Sequence, residues 1–160
     1  MTTLVIKEWY MKVIQGKNGF FGIGIMHGSK QNNIGTLWRS AYIMGASFIF
    51  TIDHKYKHQC SDVQRAWTKI PLYQYDSFEA FYSNLPYDCQ LVGLEMDESA
   101  EPIKGFTHPT RCAYLLGCEA NGLGKYILEQ CHKLIYLPGD HSLNVAVAGS
   151  ITMFDRINKA

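Results

Sequence analysis

Short apolar runs and amphipathic stretches alternate along this chain. Residues 20–26 (FFGIGIM) form an apolar run that predicts a buried strand. Residues 33–45 carry apolar side chains at helical spacing, which predicts an amphipathic helix with Asn33 as its N-cap. Residues 47–52 (SFIFTI) predict a second strand directly after this helix. A strand, a helix and a strand in immediate succession indicate a parallel βαβ unit.

The alternation continues to the C-terminus. Two polar stretches, residues 53–70 and 97–111, predict loops. The other predicted elements are strands at residues 71–75, 89–96, 113–118 and 133–137 and helices at residues 76–85, 122–131 and 142–158. This order favours an α/β domain at residues 20–160, with a mostly parallel sheet flanked by helices. Residues 1–19 predict an N-terminal extension whose apolar residues fit either a helix or a strand.

Composition and charge narrow the class of protein. The chain has 160 residues, of which 47% are apolar, and this fits one globular domain with a substantial core. Its formal net charge is +1, so bulk electrostatics alone cannot hold a nucleic acid. No apolar run reaches membrane-spanning length, and charged residues interrupt the N-terminal apolar stretch, which argues against a signal peptide. Five cysteines without a CxxC pair favour free thiols and a cytoplasmic protein.

Three loops stand where an open parallel sheet binds its ligands, beyond the carboxyl ends of strands. Their sequences are NIGTLWRSA from Asn33, LLGCEANGLG from Leu115 and LPGDHSLNVAVAGSI from Leu137. In the third loop we expect Ser142 to cap the last helix, whose first N–H groups are then free to bind a ligand. Taken alone, this third loop is more typical of an ordinary capped helix.

The other two loops carry glycines and charged residues. Gly35 and Arg39 lie one helical turn apart, which leaves room beside the guanidinium for a flat or anionic group. Gly117 and Gly122 flank Glu119 in a sharp turn, where glycines admit a ligand against the backbone. Each pattern alone also fits a surface arginine in an ion pair or an ordinary turn.

Together and in this order, the three motifs resemble the signature motifs of the SpoU/TrmH family of SPOUT RNA methyltransferases. The resemblance extends over residues 20–158. It implies a homodimer that uses S-adenosylmethionine to methylate a ribose 2′-hydroxyl of tRNA or rRNA. It also implies an α/β sheet whose C-terminal part forms a deep trefoil knot, a feature that connectivity rules would not predict.

The resemblance implies roles for particular residues. Arg39 matches the arginine of the first motif and is the expected key catalytic residue. The rest of the expected catalytic set is Asn33, Glu119, Ser142 and Asn144. We assign Arg39 the role of a cation that clamps the phosphate and lowers the pKa of the 2′-hydroxyl, because a guanidinium holds its own proton too strongly to act as a base. The expected cofactor-binding residues are Leu94, Leu116, Gly117, Glu119, Gly122, Leu137, Ser142, Leu143 and Asn144.

A basic loop supplies candidates for RNA contact. Residues 53–70 interleave cations with aromatic side chains, among them Tyr56 and Trp67. This pattern suits single-stranded or looped RNA as well as it suits a solvated loop. The expected RNA-binding residues are Arg39, Lys55, Lys57, Arg65 and Lys69. Two histidines and a cysteine in the same loop lack a fourth ligand nearby, so we expect no metal.

The sequence therefore predicts an S-adenosylmethionine-dependent RNA ribose 2′-O-methyltransferase that forms a homodimer. The faces of the first and last long helices, with the small residues Ala146, Ala148 and Gly149, are the expected dimer contact. We favour tRNA over rRNA as the substrate, on resemblance to compact relatives. Two alternatives stay open: a non-catalytic RNA-binding or assembly protein that retains the fold, and base methylation by the same fold.

Overall fold

The structure, a computed structural model, describes residues 19–27 and 30–160 together with Thr3 and Ile6. The apolar pattern noted in the N-terminal extension, from Ile6 to Ile14, therefore lies outside the described residues except at its first position. Within the described part of the chain, no helix is long and apolar enough to cross a membrane.

Strands and helices alternate through residues 19–160 as the sequence predicts. Seven strands form one sheet: β1 (Phe20–Met26), β2 (Phe48–Ile52), β3 (Leu72–Tyr75), β4 (Gln90–Leu94), β5 (Glu101–Pro102), β6 (Arg111–Leu116) and β7 (Lys133–Tyr136). The helices between them are α1 (Gln31–Ile43), α2 (Phe78–Ser83), α3 (Lys125–Gln130) and α4 (Val145–Lys159), with short 3-10 turns at Ala66–Thr68 and Ile103–Gly105. Every predicted strand and helix of the domain has a counterpart, whereas β5 lies in a stretch predicted as a loop.

The sheet is parallel throughout its described pairings. Its strand order is β3-β2-β1-β6-β4-β7-β5. The predicted βαβ unit is confirmed, because β1 pairs with β2 in parallel around α1. Parallel strands bring all their carboxyl ends to one edge of the sheet, and this edge is where ligands bind in such folds. The trefoil knot stays a prediction.

Helices cover both faces of the sheet. Successive side chains of a strand point to opposite faces, so the buried strands supply two apolar layers. One core joins Ile23 of β1 to Leu37 of α1 and Met153 of α4. The other core joins Phe50 of β2 to Phe81 of α2, whose rings stack with centroids 4.4 Å apart. The sheet thus lies between two helical layers.

On the first face, α4 packs closely against α1. A Cβ added at Gly149 would lie 2.4 Å from Cδ1 of Leu37, so the contact requires glycine. Ala146 is only 2% exposed. The hydroxyl of Ser150 donates to that of Ser40 at 2.8 Å. The expectation that small residues serve a dimer contact is therefore wrong at positions 146 and 149, because α1 and the sheet of the same chain fill that space.

A buried arginine holds the C-terminal end of α4. Arg156 is 3% exposed. Its guanidinium donates to the carbonyls of Pro109 at 2.8 Å and Thr110 at 3.1 Å, and to the hydroxyl of Tyr114 at 3.0 Å. The ring of His108 is hydrogen-bonded to the same hydroxyl at 2.6 Å, and burial lowers the pKa of His108. These bonds tie the segment before β6 to the last helix.

We expect Arg156→Met to lower the free energy of unfolding by about 3 kcal/mol, because it leaves two carbonyls and a hydroxyl without their charged donor. Urea unfolding followed by circular dichroism measures the change. As a control, Lys125→Met removes an exposed cation whose ion pair with Glu129 is 3.9 Å long, and should cost less than about 0.5 kcal/mol. Equal unfolding free energies for the two variants would contradict this role of Arg156.

Candidate functional site

The carboxyl ends of β4, β6 and β7 open into a cavity of about 470 Å³, a size typical of small-molecule sites. Predicted cofactor-binding residues make up much of its wall, namely Leu94, Leu116, Gly117, Glu119, Gly122, Leu137, Ser142 and Leu143. Asn144 is outside the wall, but it immediately precedes Val145, which lines the cavity. The structure therefore brings eight of the nine predicted cofactor-binding residues around one space.

Acidic side chains stand among apolar ones in the cavity wall. Glu95, Asp97 and Glu119 line the cavity, and none of the described lining residues is Lys or Arg. Hydrogen bonds from Ser99 lower the pKa of Asp97. The ammonium of Lys30, hydrogen-bonded to Glu119, lowers the pKa of that carboxyl. Both groups are anionic at neutral pH, so the cavity suits a ligand that combines positive charge with an apolar group.

A tight turn at residues 117–123 forms one wall of the cavity. A Cβ added at Gly117 would lie 2.2 Å from the carbonyl carbon of Gly122, so the two sides of the turn touch. Gly122 has a φ of +57°, in the left-handed region that favours glycine. The backbone of Gly122 and Leu123 fills the space on the Cβ side of Gly117, while Gly117 and Gly122 both line the cavity.

Glu95 supports this turn from the end of β4. Its Oε2 accepts a hydrogen bond from the N–H of Leu123 at 2.7 Å. A Cβ added at Gly122 would lie 2.4 Å from the same oxygen, so the carboxylate lies directly against the turn. Glu95 is absent from the residues predicted from the sequence, although an acidic side chain near the carboxyl end of a predicted strand was an available signal.

Side chains from the three motifs meet beside the cavity. Nδ2 of Asn33 donates to Oε1 of Glu119 at 2.8 Å. Nδ2 of Asn144 donates to Oδ1 of Asn33 at 3.0 Å and to Oε1 of Glu119 at 3.1 Å. Lys30, which was not predicted as a site residue, pairs with Oε2 of the same carboxylate. We call Asn33, Glu119 and Asn144 the motif cluster.

The predicted cap of α1 is wrong. The helix begins at Gln31, and Lys30 is its N-cap. Asn33 therefore lies inside the first turn, where its side chain is free to reach Glu119 instead of capping the backbone. The bond between Asn33 and Glu119 connects the first motif to the second.

The predicted cap of α4 is also wrong. The helix begins at Val145, and its N-cap is Asn144, not Ser142. Oδ1 of Asn144 accepts from the N–H groups of Ala146 at 2.9 Å and Val147 at 3.3 Å. Ser142 lies in the loop before the helix and lines the cavity.

The space at Gly35 is occupied by the chain itself. A Cβ added there would lie 2.3 Å from Oγ of Ser61 and 3.0 Å from Cβ of Gln59. The hydroxyl of Ser61 also donates to the carbonyl of Asn32 at 2.9 Å. Gly35 therefore admits the loop at residues 53–70 against α1, and the expectation that it admits a ligand is wrong.

Arg39 lies apart from the motif cluster. It stands six residues after Asn33, which is roughly 9 Å along the axis of α1. Its side chain is exposed and has no hydrogen bond or ion pair with another described residue. The guanidinium is thus available to a ligand that arrives from solvent.

The basic loop presents its cations to solvent. Lys55, Lys57, Arg65 and Lys69 are all exposed. Tyr56, by contrast, points inward: its ring lies edge-on to Trp38, with centroids 6.0 Å apart, and its hydroxyl donates to Asp62 at 3.3 Å. Burial raises the pKa of Tyr56 to about 12. The loop therefore offers charge, whereas Tyr56 supports the loop from beneath and is not a surface for base stacking.

Comparison with known families identifies the family of this chain. A profile of the SpoU rRNA methylase family matches residues 23–154, which include the whole motif cluster. The chain belongs to the SpoU rRNA methylase family. The matched residues also span all three sequence motifs.

Individual SpoU relatives are similar over part or most of the chain. The 23S rRNA (guanosine-2'-O-)-methyltransferase RlmB of Acinetobacter baylyi is 32% identical over 69 residues, which cover 41% of this chain and 28% of RlmB. The SpoU methyltransferase AviRb of Streptomyces viridochromogenes, solved in complex with AdoMet, superimposes with a TM-score of 0.76 at 21% identity, over 88% of this chain and 57% of AviRb. The A. aeolicus TrmH/SpoU tRNA modifying enzyme superimposes with a TM-score of 0.78 at 15% identity, over 97% of this chain and 84% of the enzyme.

The structural likeness confirms the predicted fold class. The chain spans less than two thirds of AviRb and about a quarter of RlmB, whose matched share is 28%. A shared fold does not by itself assign an activity, because function depends on the residues of the site.

We expect Asn144→Ala to lower the free energy of unfolding by about 1–2 kcal/mol, because it removes the cap of α4 and the bonds to Asn33 and Glu119. Ser142→Ala is the matched control and should change that free energy by less than about 0.5 kcal/mol, since Ser142 does not cap the helix. Both are measured by denaturant unfolding. A larger effect of Ser142→Ala would restore Ser142 as the cap.

Proposed function

We propose that this protein transfers a methyl group from S-adenosylmethionine to a ribose 2′-hydroxyl of RNA. The observation that carries the proposal is the motif cluster: Asn33 in the first turn of α1, Glu119 in the turn after β6 and Asn144 at the N-cap of α4 bond to one another beside an acidic cavity. Such convergence of polar side chains at the carboxyl edge of a parallel sheet is typical of a ligand site.

The cavity fits S-adenosylmethionine in size and chemistry. Leu94, Leu116 and Leu137 offer apolar surface to an adenine ring. The carboxylates of Glu95 and Asp97 favour a ligand with a sulfonium and an ammonium group. When bound, this cofactor supplies a methyl group that is already activated by the positive sulfur. The protein then has to align the acceptor and stabilise the oxygen as it loses its proton.

Arg39 is the residue that we assign to the acceptor. Its exposed guanidinium has five donors in a planar fork and no partner among the described residues, so it is free to clamp a phosphate. A cation held beside the ribose lowers the pKa of the 2′-hydroxyl. Phosphate or water takes the proton, because a guanidinium does not release its own. Asn33, Glu119, Ser142 and Asn144 complete the proposed catalytic set by holding the loops that face the acceptor.

The basic loop is the proposed RNA contact. Lys55, Lys57, Arg65 and Lys69 are exposed on one loop, which bonds to the start of α1 through Gln31 and Ser61. Clustered cations of this kind hold the phosphate backbone even on a protein of near-zero net charge. We favour tRNA over rRNA, with support from the overlap in length with the A. aeolicus tRNA modifying enzyme, and we place the reaction in the cytoplasm.

Transfer of a labelled methyl group tests the function directly. The protein is incubated with labelled S-adenosylmethionine and separate pools of unmodified tRNA and rRNA, and the digested nucleosides are identified. We expect a 2′-O-methyl nucleoside from the tRNA pool. A methylated base would replace ribose methylation by base methylation. Absence of both transfer and cofactor binding in calorimetry would favour the non-catalytic RNA-binding protein.

In the same assay, Arg39→Ala should reduce transfer by about a thousandfold and leave the Kd for S-adenosylmethionine within about twofold, because Arg39 lies outside the cavity. Arg39→Lys keeps the charge but loses the planar fork, so an intermediate rate is expected. Lys125→Ala is the control for loss of an exposed cation elsewhere. A normal rate for Arg39→Ala would exclude this mechanism.

The exposed face of α4 is the proposed homodimer contact. Val147, Ile151 and Phe154 are 46%, 40% and 60% exposed, and their spacing places them on one side of the helix. An exposed apolar stripe on a long helix is typical of a contact surface. A second copy of the chain is the proposed partner, as the resemblance of the sequence implies.

We expect Phe154→Glu to convert the dimer, which has about twice the 18.2 kDa mass of one chain, into a monomer. Dimerisation of this variant would bury a carboxylate in the apolar contact, which is unfavourable. Sedimentation at micromolar concentration measures the mass. The matched control is Val63→Glu, which changes an apolar side chain that is 61% exposed on the basic loop. A wild-type mass near 18.2 kDa would rule out the dimer.

A further inference from the structure

Glu95 connects the three strand ends that form the cavity. Its backbone N–H donates to the carbonyl of Ile135 in β7 at 3.1 Å. Its side chain accepts from Leu123, beyond the end of β6, at 2.7 Å. The residue itself follows the last position of β4, Leu94, directly. One residue thus contacts all three walls of the cavity.

The turn at residues 117–123 contains two glycines, so contacts such as the bond from Leu123 to Glu95 are needed to limit its conformations. Within the turn, the N–H of Gly122 donates to the carbonyl of Cys118 at 2.9 Å, and these two residues form an antiparallel bridge. The side chain of Glu119 holds the middle of the turn through its bonds to Asn33 and Asn144, whereas Glu95 holds the end of the turn at Leu123. Glycine at positions 117 and 122 permits the tight contact but also lets the backbone at these two positions take other conformations. A carboxylate bond to a backbone N–H is stronger than a bond between neutral groups, so Glu95 limits that freedom.

We propose that Glu95 is a positioning residue for the cofactor: it holds the 117–123 turn in the conformation that binds S-adenosylmethionine. The inference rests on the proposed function, since it assigns the cavity to this cofactor. Glu95 acts through the backbone of the turn and therefore determines how much of the free protein is ready to bind. If the turn is correctly formed in only one tenth of the molecules, the apparent Kd rises about tenfold.

Two variants separate this role from a general structural one. Glu95→Ala removes the acceptor and should raise the Kd for S-adenosylmethionine about tenfold in calorimetry. Glu95→Gln keeps one acceptor oxygen at the same reach and should restore the Kd to within about threefold. Glu98→Ala is the matched control, because Glu98 is an exposed acid of the same loop that does not line the cavity.

Hydrogen exchange of the free protein tests the positioning directly. The amide protons of Gly122 and Leu123 should exchange about tenfold faster in Glu95→Ala than in the wild type or Glu98→Ala, without any ligand present. A side chain that only touches the cofactor would not change these rates. Unchanged exchange at Leu123, or an unchanged Kd in Glu95→Ala, would overturn the inference.

The same measurements distinguish failure of this inference from failure of the proposed function. A wild-type protein that binds no S-adenosylmethionine overturns the proposed function and the cofactor role of Glu95 with it. A wild-type protein that binds the cofactor, with a Glu95→Ala variant that binds equally well, overturns only the positioning role. Faster exchange at Leu123 and weaker cofactor binding in Glu95→Ala, with both near wild type in Glu98→Ala, support both.

Discussion

The side chain of Asn144 is the interaction on which the site depends. Its oxygen accepts the first N–H groups of α4, and its nitrogen donates to Asn33 and Glu119. One amide thereby caps α4 and joins it to the first turn of α1 and to the turn after β6. At the opposite end of α4, Arg156 bonds to the segment before β6. The helix is thus fixed along its axis at both ends, and the small residues between them let it lie close against α1.

The strands and helices follow from local sequence patterns, whereas the contacts of the site do not. An apolar run such as residues 20–26 has few alternatives to a buried strand, so its bounds agree with the structure. Ser142 and Asn144 are both good capping residues only two positions apart, and local preference alone does not choose between them. The choice is made by Glu119, which is distant in sequence and offers Asn144 a second bond.

Long-range contacts also explain the residues that the sequence did not single out. Glu95 matters because its carboxylate reaches Leu123, and Lys30 matters because it pairs with Glu119. Gly35, by contrast, was noted from the sequence, but its neighbour was not predicted. A glycine indicates that another group approaches the backbone closely, without indicating which group it is. In the structure the approaching group is Ser61 of the same chain. The resemblance to a family supplied the set of motif residues, and the fold supplies the reason they meet.

The position of Lys30 gives the cavity two electrostatically different sides. Glu119 has a cationic partner on the side of α1, whereas Glu95 and Asp97 have no ion pair with another described residue on the side of β4. The field is therefore negative towards β4 and close to balanced towards α1, where Arg39 adds a positive charge. Under the proposed function, the cationic cofactor would lie against Glu95 and Asp97, and the RNA phosphates would lie on the side of α1. Two ligands of opposite charge can then occupy neighbouring positions without competing for the same groups.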